Sequence, residues 1–157
     1  MPNLPFIPFA ELTHWRQTHS HDQQRLILTN GCFDILHVGH VRYLQATKKL
    51  GEILVVGLNS DQSVRAIKGP QRPINAEQDR AEVLAALACV DYVTIFEEPT
   101  ADALIRALQP TIYTKAGDYT LDTLPERDTL LELGVEVVFI PFVSGYSTTE
   151  TIAKSNR

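Results

Sequence analysis

Hydrophobic positions along the chain follow two alternating spacings. Short runs of branched apolar residues, typical of strands buried on both faces of a sheet, alternate with stretches whose apolar residues recur every three or four positions, as on one face of a helix. The predicted strands are residues 26–29, 53–58, 92–96, 111–114 and 135–140. The predicted helices lie around residues 9–15, 38–50, 61–67, 76–88, 100–108 and 124–133, and a short terminal helix follows a turn at 144–149.

The alternation of strands and helices predicts the fold class and the domain organisation. It is typical of a Rossmann-like α/β fold, a doubly wound parallel five-stranded sheet that gathers ligands at the carboxyl ends of its strands. The 157 residues fit one domain, expected at 25–157. Residues 1–24 have three prolines among the first eight positions and are expected to form an extended arm and a short helix. The apolar residues Phe6, Ile7 and Phe9 of this arm could serve a homodimer contact.

Composition narrows the class of protein. The formal net charge of −5 argues against a general nucleic-acid binder, so any basic site must be local. The two cysteines, Cys32 and Cys89, cannot form a disulfide framework, and the five histidines lack the spacing of a metal site, so no protein-bound metal is expected. The sequence has neither a signal peptide at its start nor an apolar run near the ~20 residues of a membrane span. We therefore expect a soluble cytoplasmic protein with no membrane partner.

The stretch at residues 26–50 carries the most specific chemistry. It is an apolar strand, a break at Asn30 and Gly31, and an amphipathic helix that begins near Val38. His37 and His40 are three residues apart, so both rings can flank the first turn of that helix. Unpaired N–H groups, the positive end of the helix dipole and two ring donors would then converge on one point, which suits a phosphate chain. The alternative, that the histidines only decorate a surface turn, leaves the glycines and the flanking elements unexplained.

Three other segments should meet this stretch at the carboxyl rim of the sheet. The first runs from residue 59 to residue 72 and carries Lys68 and Arg72, whose cations could hold the phosphate of an acceptor. The second, residues 115–119, follows a strand end. The third, residues 144–149, puts hydroxyls and free N–H groups at a helix start, although an ordinary N-cap is the simpler reading of that segment.

For several residues the sequence allows more than one role. Asp34 could bind a metal ion, contact the acceptor or brace its own turn. Asp118 could accept a hydrogen bond from a ribose hydroxyl or a base amine, or only cap its loop. Arg80 could face a polyphosphate or solvent. Cys32 could be suspected as a nucleophile, but a small buried cysteine is the commoner case.

The strand, the turn and the His-Val-Gly-His run resemble the HxGH signature of the nucleotidyltransferase superfamily. The resemblance becomes closer over several successive motifs, at residues 29–40, 59–61, 68–69, 72–75, 115–119 and 145–149. Together they look like D-glycero-β-D-manno-heptose 1-phosphate adenylyltransferase, a cytidylyltransferase-like family of ADP-heptose synthesis. In that family the module is often fused behind a sugar kinase; no kinase precedes it here, so the free-standing form is expected.

The resemblance implies a reaction and a set of site residues. ATP and the heptose 1-phosphate would give ADP-heptose and pyrophosphate, with Mg²⁺ bound to the nucleotide triphosphate. The residues expected to be catalytic are His37, His40 and Lys68. Those expected to bind the nucleotide are Gly31, Cys32, Phe33, Gly39, Lys115, Gly117, Asp118, Ser147, Thr148 and Thr149. Those expected to bind the acceptor are Asp34, Asn59, Asp61, Arg72 and Arg80.

Two departures from related patterns bear on this reading. Ala116 stands where the family usually has glycine, which slightly tightens the loop. Glycerol-3-phosphate cytidylyltransferases usually have Arg-Thr before their final motif, whereas Phe142 and Val143 occupy those places here, which weakens a CTP-dependent alternative. A second alternative is a non-catalytic nucleotide-binding subunit on the same fold. A dehydrogenase is disfavoured because the first turn lacks the three-glycine fingerprint.

Overall fold

The computed structural model describes residues 4–19, 23–141, 145 and 147–157, which form five strands and seven α-helices. The strands are β1 Leu26–Gly31, β2 Ile53–Asn59, β3 Tyr92–Phe96, β4 Ile112–Ala116 and β5 Glu136–Ile140. The helices are α1 Leu12–Thr18, α2 Val38–Lys48, α3 Asp61–Lys68, α4 Glu77–Ala85, α5 Asp102–Leu108, α6 Arg127–Glu132 and α7 Thr148–Ser155. No helix within these described ranges is long and apolar enough to cross a membrane.

The five strands form one parallel sheet in the order β3-β2-β1-β4-β5. The order reverses direction at β1, whose neighbours are β2 on one side and β4 on the other. A reversal of this kind leaves a crevice outside the carboxyl ends of the two central strands, which is where ligands bind in open α/β sheets. The predicted doubly wound fold class is confirmed.

Each face of the sheet carries its own apolar core because successive side chains of a strand point to opposite faces. Leu26 and Leu28 pack with Leu104 and Ile105 of α5 on one face. Ile27 between them packs on the other face, in a cluster that includes side chains from α2 and α4. Burial on both faces explains why the strands read as continuous apolar runs rather than as alternating ones.

The N-terminal arm is part of this packing. Phe6 pairs with Val93 in a parallel bridge, and Ile7 donates its main-chain N–H to the carbonyl of Val93 at 2.9 Å. Ile7 is buried, while Phe6 and Phe9 pack against the two cores of their own chain. These side chains therefore do not supply the exposed apolar surface from which a homodimer contact was expected, and the homodimer stays a prediction. Trp15 packs edge-on against Tyr92 with ring centroids 4.9 Å apart.

Two details of the helices differ from the expectation. The helix expected at 124–133 begins only at Arg127, because Leu124 precedes a proline and takes an extended conformation, with φ −78° and ψ 123°. The helix expected at 38–50 ends earlier, at Lys48, and Lys49 is its C-cap. Gly51, just beyond this end, is needed for space, since a Cβ atom there would lie 2.6 Å from the carbonyl oxygen of Arg25.

Candidate active site

A cavity of about 350 Å³ opens at the carboxyl ends of β1 and β4. Its lining residues, except Pro141, come from the four separate segments that the sequence predicted to meet. The lining residues are Asn30, Gly31, Cys32, Phe33, Asp34, His37, Gly39, His40, Tyr43, Lys68, Arg72, Lys115, Ala116, Tyr119, Pro141, Ser147, Thr148 and Thr149. Segments more than a hundred residues apart in sequence thus surround one space.

His37 and His40 stand at the N-terminus of α2, where His37 is the N-cap residue. Nδ1 of His40 accepts a hydrogen bond from the main-chain N–H of His37 at 3.2 Å. Because that nitrogen is the acceptor, the neutral imidazole of His40 carries its proton on Nε2. The ring is therefore a donor at the start of a helix whose first N–H groups have no intrahelical acceptor.

Electrostatics keep His40 in this neutral form. Burial lowers its pKa to about 4, and the neighbouring His37 and Lys68 contribute in the same direction. Burial also lowers the pKa of His37, against the opposing influence of the Glu150 carboxylate. At neutral pH both rings act as uncharged hydrogen-bonding groups, which suits contact with phosphate oxygens without fixing a cation there.

Phe33 and Tyr43 hold α2 in place over the sheet. Phe33 has a positive φ of 44°, and its ring centroid lies 5.5 Å from that of His40. Gly31 leaves room for this ring, since a Cβ atom there would lie 3.0 Å from Phe33 Cε2. The hydroxyl of Tyr43 lies 2.7 Å from Thr29 Oγ1 and 3.0 Å from Thr114 Oγ1, which ties α2 to both central strands.

Asp34 and Arg72 form an ion pair at the wall of the cavity, in which the Asp34 side chain is fully buried. Arg72 Nε donates to Asp34 Oδ2 at 2.8 Å, and the carboxylate also accepts the main-chain N–H groups of Ile74 and Asn75. Burial would raise the pKa of Asp34, but these hydrogen bonds outweigh it and hold the pKa below its ordinary value. Of the three readings of Asp34, the geometry favours a brace, which extends to the loop before α4 rather than only to its own turn.

Lys115 brings a cation to the floor of the cavity. It lies in the last part of β4, and its Nζ is 5.5 Å from the centroid of the Tyr119 ring. Burial lowers the pKa of Lys115, although Glu126 and Cys32 act in the opposite direction. Burial likewise raises the pKa of the Cys32 thiol, despite the cations around it, so this cysteine is not an activated nucleophile.

The start of α7 closes the cavity. Ser147 is the N-cap, and its hydroxyl accepts the main-chain N–H of Glu150 at 3.0 Å. Thr148 Oγ1 donates to the carbonyl of Ile35 at 3.1 Å, so the terminal helix is joined to the loop that precedes α2. The hydroxyl proton of Thr148 is thus used within the protein, whereas Ser147 acts only as an acceptor in its bond and keeps its own O–H. The helix dipole and N–H groups of this turn add to its capacity to bind an anion. Ser144 and Tyr146, which were named with this turn, and Phe142 and Val143 lie outside the described residues.

Five of the expected site residues do not line the cavity within the described part of the chain. They are Asn59, Asp61, Arg80, Gly117 and Asp118. Arg80 is buried, and its guanidinium donates to the carbonyls of Asn75, Cys32 and Asn59 and to Asp61 Oδ1. Arg80 points neither to solvent nor into the cavity, so the structure agrees with neither of the two roles expected for it, contact with a polyphosphate or with solvent. Asp118 is exposed, and Gly117 forms a turn with φ +97°.

Five residues that line the cavity were not named individually as site residues from the sequence: Asn30, Tyr43, Ala116, Tyr119 and Pro141. Ala116 and Tyr119 lie in the segment 115–119 that was expected at the rim. Tyr43 lies three positions after His40 and therefore on the same face of α2. Asn30 lies near the carboxyl end of the central strand β1, at the rim where the ligand was expected. Pro141 directly follows β5 and lies outside the four expected segments.

The described side chains that line the cavity do not form a metal-binding site. No cluster of three or more His, Cys, Asp or Glu side chains able to hold a metal ion occurs among the described residues. The Asp34 carboxylate is committed to Arg72 and to two main-chain N–H groups.

The fold and this cavity define a nucleotidyltransferase. The chain belongs to the cytidylyltransferase-like family, whose model matches residues 28–154. It is 52% identical over 131 residues to the bifunctional protein HldE of Trichlorobacter lovleyi, covering 83% of this chain and 27% of that protein. It is 50% identical over 141 residues to the bifunctional protein HldE of Helicobacter pylori strain G27, covering 90% of this chain and 30% of that protein. The chain thus spans less than a third of the length of these relatives.

A solved structure supports the same assignment. The lipopolysaccharide core biosynthesis protein from Thermoplasma volcanium matches with a TM-score of 0.65 and 30% sequence identity, covering 79% of this chain and 99% of that one. The prediction of a nucleotidyltransferase enzyme, made from the motifs at residues 29–40 and after, is confirmed at the level of the family.

Proposed function

We propose that the chain transfers AMP from ATP to a sugar 1-phosphate, D-glycero-β-D-manno-heptose 1-phosphate, and releases ADP-heptose and pyrophosphate. The observation that carries this proposal is the convergence of four chain segments around one cavity, each with groups that bind anions. Two helix N-termini, two neutral imidazoles, and the cations Lys68, Arg72 and Lys115 suit a triphosphate and a second phosphate held side by side.

The proposed chemistry is an in-line displacement at the α-phosphorus of ATP. A phosphate oxygen of the acceptor forms a new bond to that phosphorus, the bond to the bridging oxygen of the β-phosphate breaks, and pyrophosphate leaves with the electron pair. The acceptor oxygen is already an anion, so no strong general base is required. Positioning and charge neutralisation supply the rate.

Three side chains have distinct roles in this scheme. His40 donates from Nε2 to the α-phosphate as negative charge develops there, while its Nδ1 is held by the main chain of His37. His37 contacts oxygens of the same triphosphate chain of ATP. Lys68 lies at the end of α3, close enough to influence the pKa of His40, and neutralises the acceptor or the leaving phosphates.

The choice of ATP and of a heptose 1-phosphate rests on the motifs and on the relatives. The successive motifs at residues 59–61, 68–69 and 115–119 resemble the adenylyltransferases of ADP-heptose synthesis. The similarity to a lipopolysaccharide core biosynthesis protein is consistent with a module of sugar-nucleotide synthesis. The alternative is a CTP-dependent enzyme that acts on glycerol 3-phosphate, since the family is described as cytidylyltransferase-like.

Magnesium and cellular location remain predictions of this proposal. Mg²⁺ keeps several waters and binds substrate phosphates rather than an all-protein cage, so it would enter with the triphosphate. When bound, it would neutralise charge on the leaving pyrophosphate. The cytoplasmic location follows from the sequence composition alone.

Pyrophosphate release tests the proposal. The purified chain is assayed with ATP and with CTP, each crossed with a panel of sugar 1-phosphates and with glycerol 3-phosphate. Turnover with ATP and the heptose 1-phosphate, and little with the other pairs, is expected. Turnover with CTP and glycerol 3-phosphate supports the alternative enzyme, and a chain that binds ATP but releases no pyrophosphate with any acceptor is a non-catalytic subunit.

A further inference from the structure

The carboxylate of Asp34 has no capacity left for a ligand. Its Oδ1 accepts from the N–H groups of Ile74 and Asn75, both at 2.9 Å. Its Oδ2 accepts from Arg72 Nε and from Ile74 N–H, both at 2.8 Å. The side chain is 0% exposed, so neither a metal ion nor an acceptor hydroxyl reaches it without breaking these bonds.

Arg72 has the opposite character. Its side chain is 14% exposed and lines the cavity. Its Nη2 is buried and has no hydrogen-bond partner among the described residues. A buried guanidinium donor without a partner is costly, whereas a phosphate oxygen satisfies it with a charge-assisted hydrogen bond. The Arg72 side chain, which reaches the cavity and keeps an unpaired donor, is therefore a candidate contact for an anion there.

The loop that carries Arg72 depends on Asp34 for its position. It joins α3 to α4, begins at Gly69 with φ +102°, and contains no regular secondary structure between residues 69 and 76. Asp34 binds three successive parts of it: the Arg72 side chain and the main chain of Ile74 and Asn75. Asn75 Nδ2 returns a bond to the carbonyl of Asp34 at 2.8 Å. Asp34, which follows β1, thus fixes the position of the loop that carries Arg72.

We propose that Asp34 is a positioning residue that acts through Arg72: it orients the guanidinium so that this side chain binds the phosphate of the acceptor. This inference rests on the proposed nucleotidyl transfer. It makes a prediction opposite to that of simple electrostatics. Removing the negative charge beside Arg72 would tighten anion binding if charge alone mattered, whereas loss of orientation weakens it.

The test is a double-mutant cycle with Asp34→Asn, Arg72→Ala and the double variant, assayed by pyrophosphate release. Asp34→Asn is expected to raise the KM for the sugar 1-phosphate by about tenfold or more and to leave the KM for ATP within about threefold of the wild type. In the Arg72→Ala background it should add little, because the residue through which it acts is gone. Glu132→Gln, which removes the carboxylate from the exposed pair with Arg106, is the matched control and should change neither constant.

Three results would overturn the inference: an unchanged or lower KM for the acceptor in Asp34→Asn, an equal rise of both KM values, or a full additional effect in the Arg72→Ala background. If Asp34→Asn does not fold, the KM of Arg72→Lys for the acceptor tests the inference. Lysine can pair with Asp34 but has no second donor nitrogen, so the KM for the acceptor should rise as in Arg72→Ala, and a wild-type value would contradict the inference.

Failure of the proposed function is recognised separately, by a wild-type chain that releases no pyrophosphate with any acceptor. The inference is then measured by calorimetric titration with inorganic phosphate. Weaker binding by Asp34→Asn than by the wild type is expected, and equal or tighter binding would refute the positioning role.

Discussion

Nδ1 of His40 accepts the main-chain N–H of His37 at 3.2 Å, and the two rings stack with centroids 3.8 Å apart. Protonation of His40 at Nδ1 would break this hydrogen bond and place a cation against a neighbouring imidazole. The lowered pKa of about 4 follows from burial first and from His37 and Lys68 next. The pair is therefore arranged to keep a neutral donor, with its proton on Nε2, at the start of α2.

Replacement of His40 tests its proposed role in catalysis. His40→Ala should lower kcat by about 10²-fold or more, because a donor to the developing charge on the α-phosphate is lost. The fold should persist, as judged by circular dichroism. His14, an exposed histidine on α1, provides the control, and His14→Ala should keep wild-type kcat. Equal kcat values in the two variants would remove His40 from the mechanism.

The lowered pKa of His40 also predicts how stability depends on pH. The unfolded state binds a proton near the ordinary value of 6.5, whereas the folded state resists it down to about 4. The unfolded state therefore binds more protons in this window, and stability falls as the pH falls through it. Well above 6.5 both states are neutral and His40 contributes no pH dependence.

His40→Asn removes this titration while keeping an acceptor for the N–H of His37. Thermal unfolding measured at pH 7, 6 and 5 should show a smaller drop in Tm for the variant than for the wild type. A residual drop is expected from His37, whose pKa is also lowered. Parallel curves for variant and wild type would contradict the assignment of a neutral His40.

The bond between Thr148 and Ile35 predicts a role for the terminal helix in nucleotide affinity. Thr148→Val keeps the shape of the side chain but removes the donor to the Ile35 carbonyl. The start of α7 should loosen from the loop before α2, and the KM for ATP should rise by about 3- to 10-fold. Ser155→Ala, at the other end of α7, is the control and should leave the KM unchanged. A wild-type KM in Thr148→Val would separate α7 from nucleotide binding.

Arg80 is expected to matter for stability. Its buried guanidinium joins the carbonyls that follow β1 and end β2 to Asp61 at the start of α3. Arg80→Ala leaves these acceptors without a partner and should lower the free energy of unfolding by about 3 kcal/mol, measured by urea denaturation. Arg106→Ala, which breaks an exposed pair with Glu132 and a 3.5 Å hydrogen bond to Thr129 Oγ1, should cost much less. Equal losses would show that the buried network adds nothing.

The sequence was sufficient for the fold and for the meeting of the four segments. Both follow from spacing: continuous apolar runs predict buried parallel strands, and residues after parallel strands share one edge of the sheet. His37, His40 and Thr148 could be placed at the cavity because each lies at a strand-to-helix junction. The helix starts at Val38 and Thr148 agree with those expected from the motif and the N-cap.

The direction of a side chain could not be predicted in the same way. Arg72 lies in the loop before α4 and Arg80 lies on α4 itself. The guanidinium of Arg80 binds main-chain carbonyls, whereas Arg72 lines the cavity. The difference depends on long-range contacts with Cys32, Asn59 and Asp34, which lie in other segments. The type of a residue does not reveal such partners. For this reason the sequence alone left three possible roles for Asp34, and its hydrogen bonds distinguish between them.

In the proposed reaction AMP, rather than a terminal phosphoryl group, moves from ATP to a sugar 1-phosphate. The most direct measurement follows isotope from ATP labelled at the α-phosphorus and, separately, at the γ-phosphorus during turnover with D-glycero-β-D-manno-heptose 1-phosphate. We expect the α label in a sugar nucleotide and the γ label in pyrophosphate. Appearance of the γ label in the sugar product, or retention of both labels in ATP, would contradict the proposed reaction.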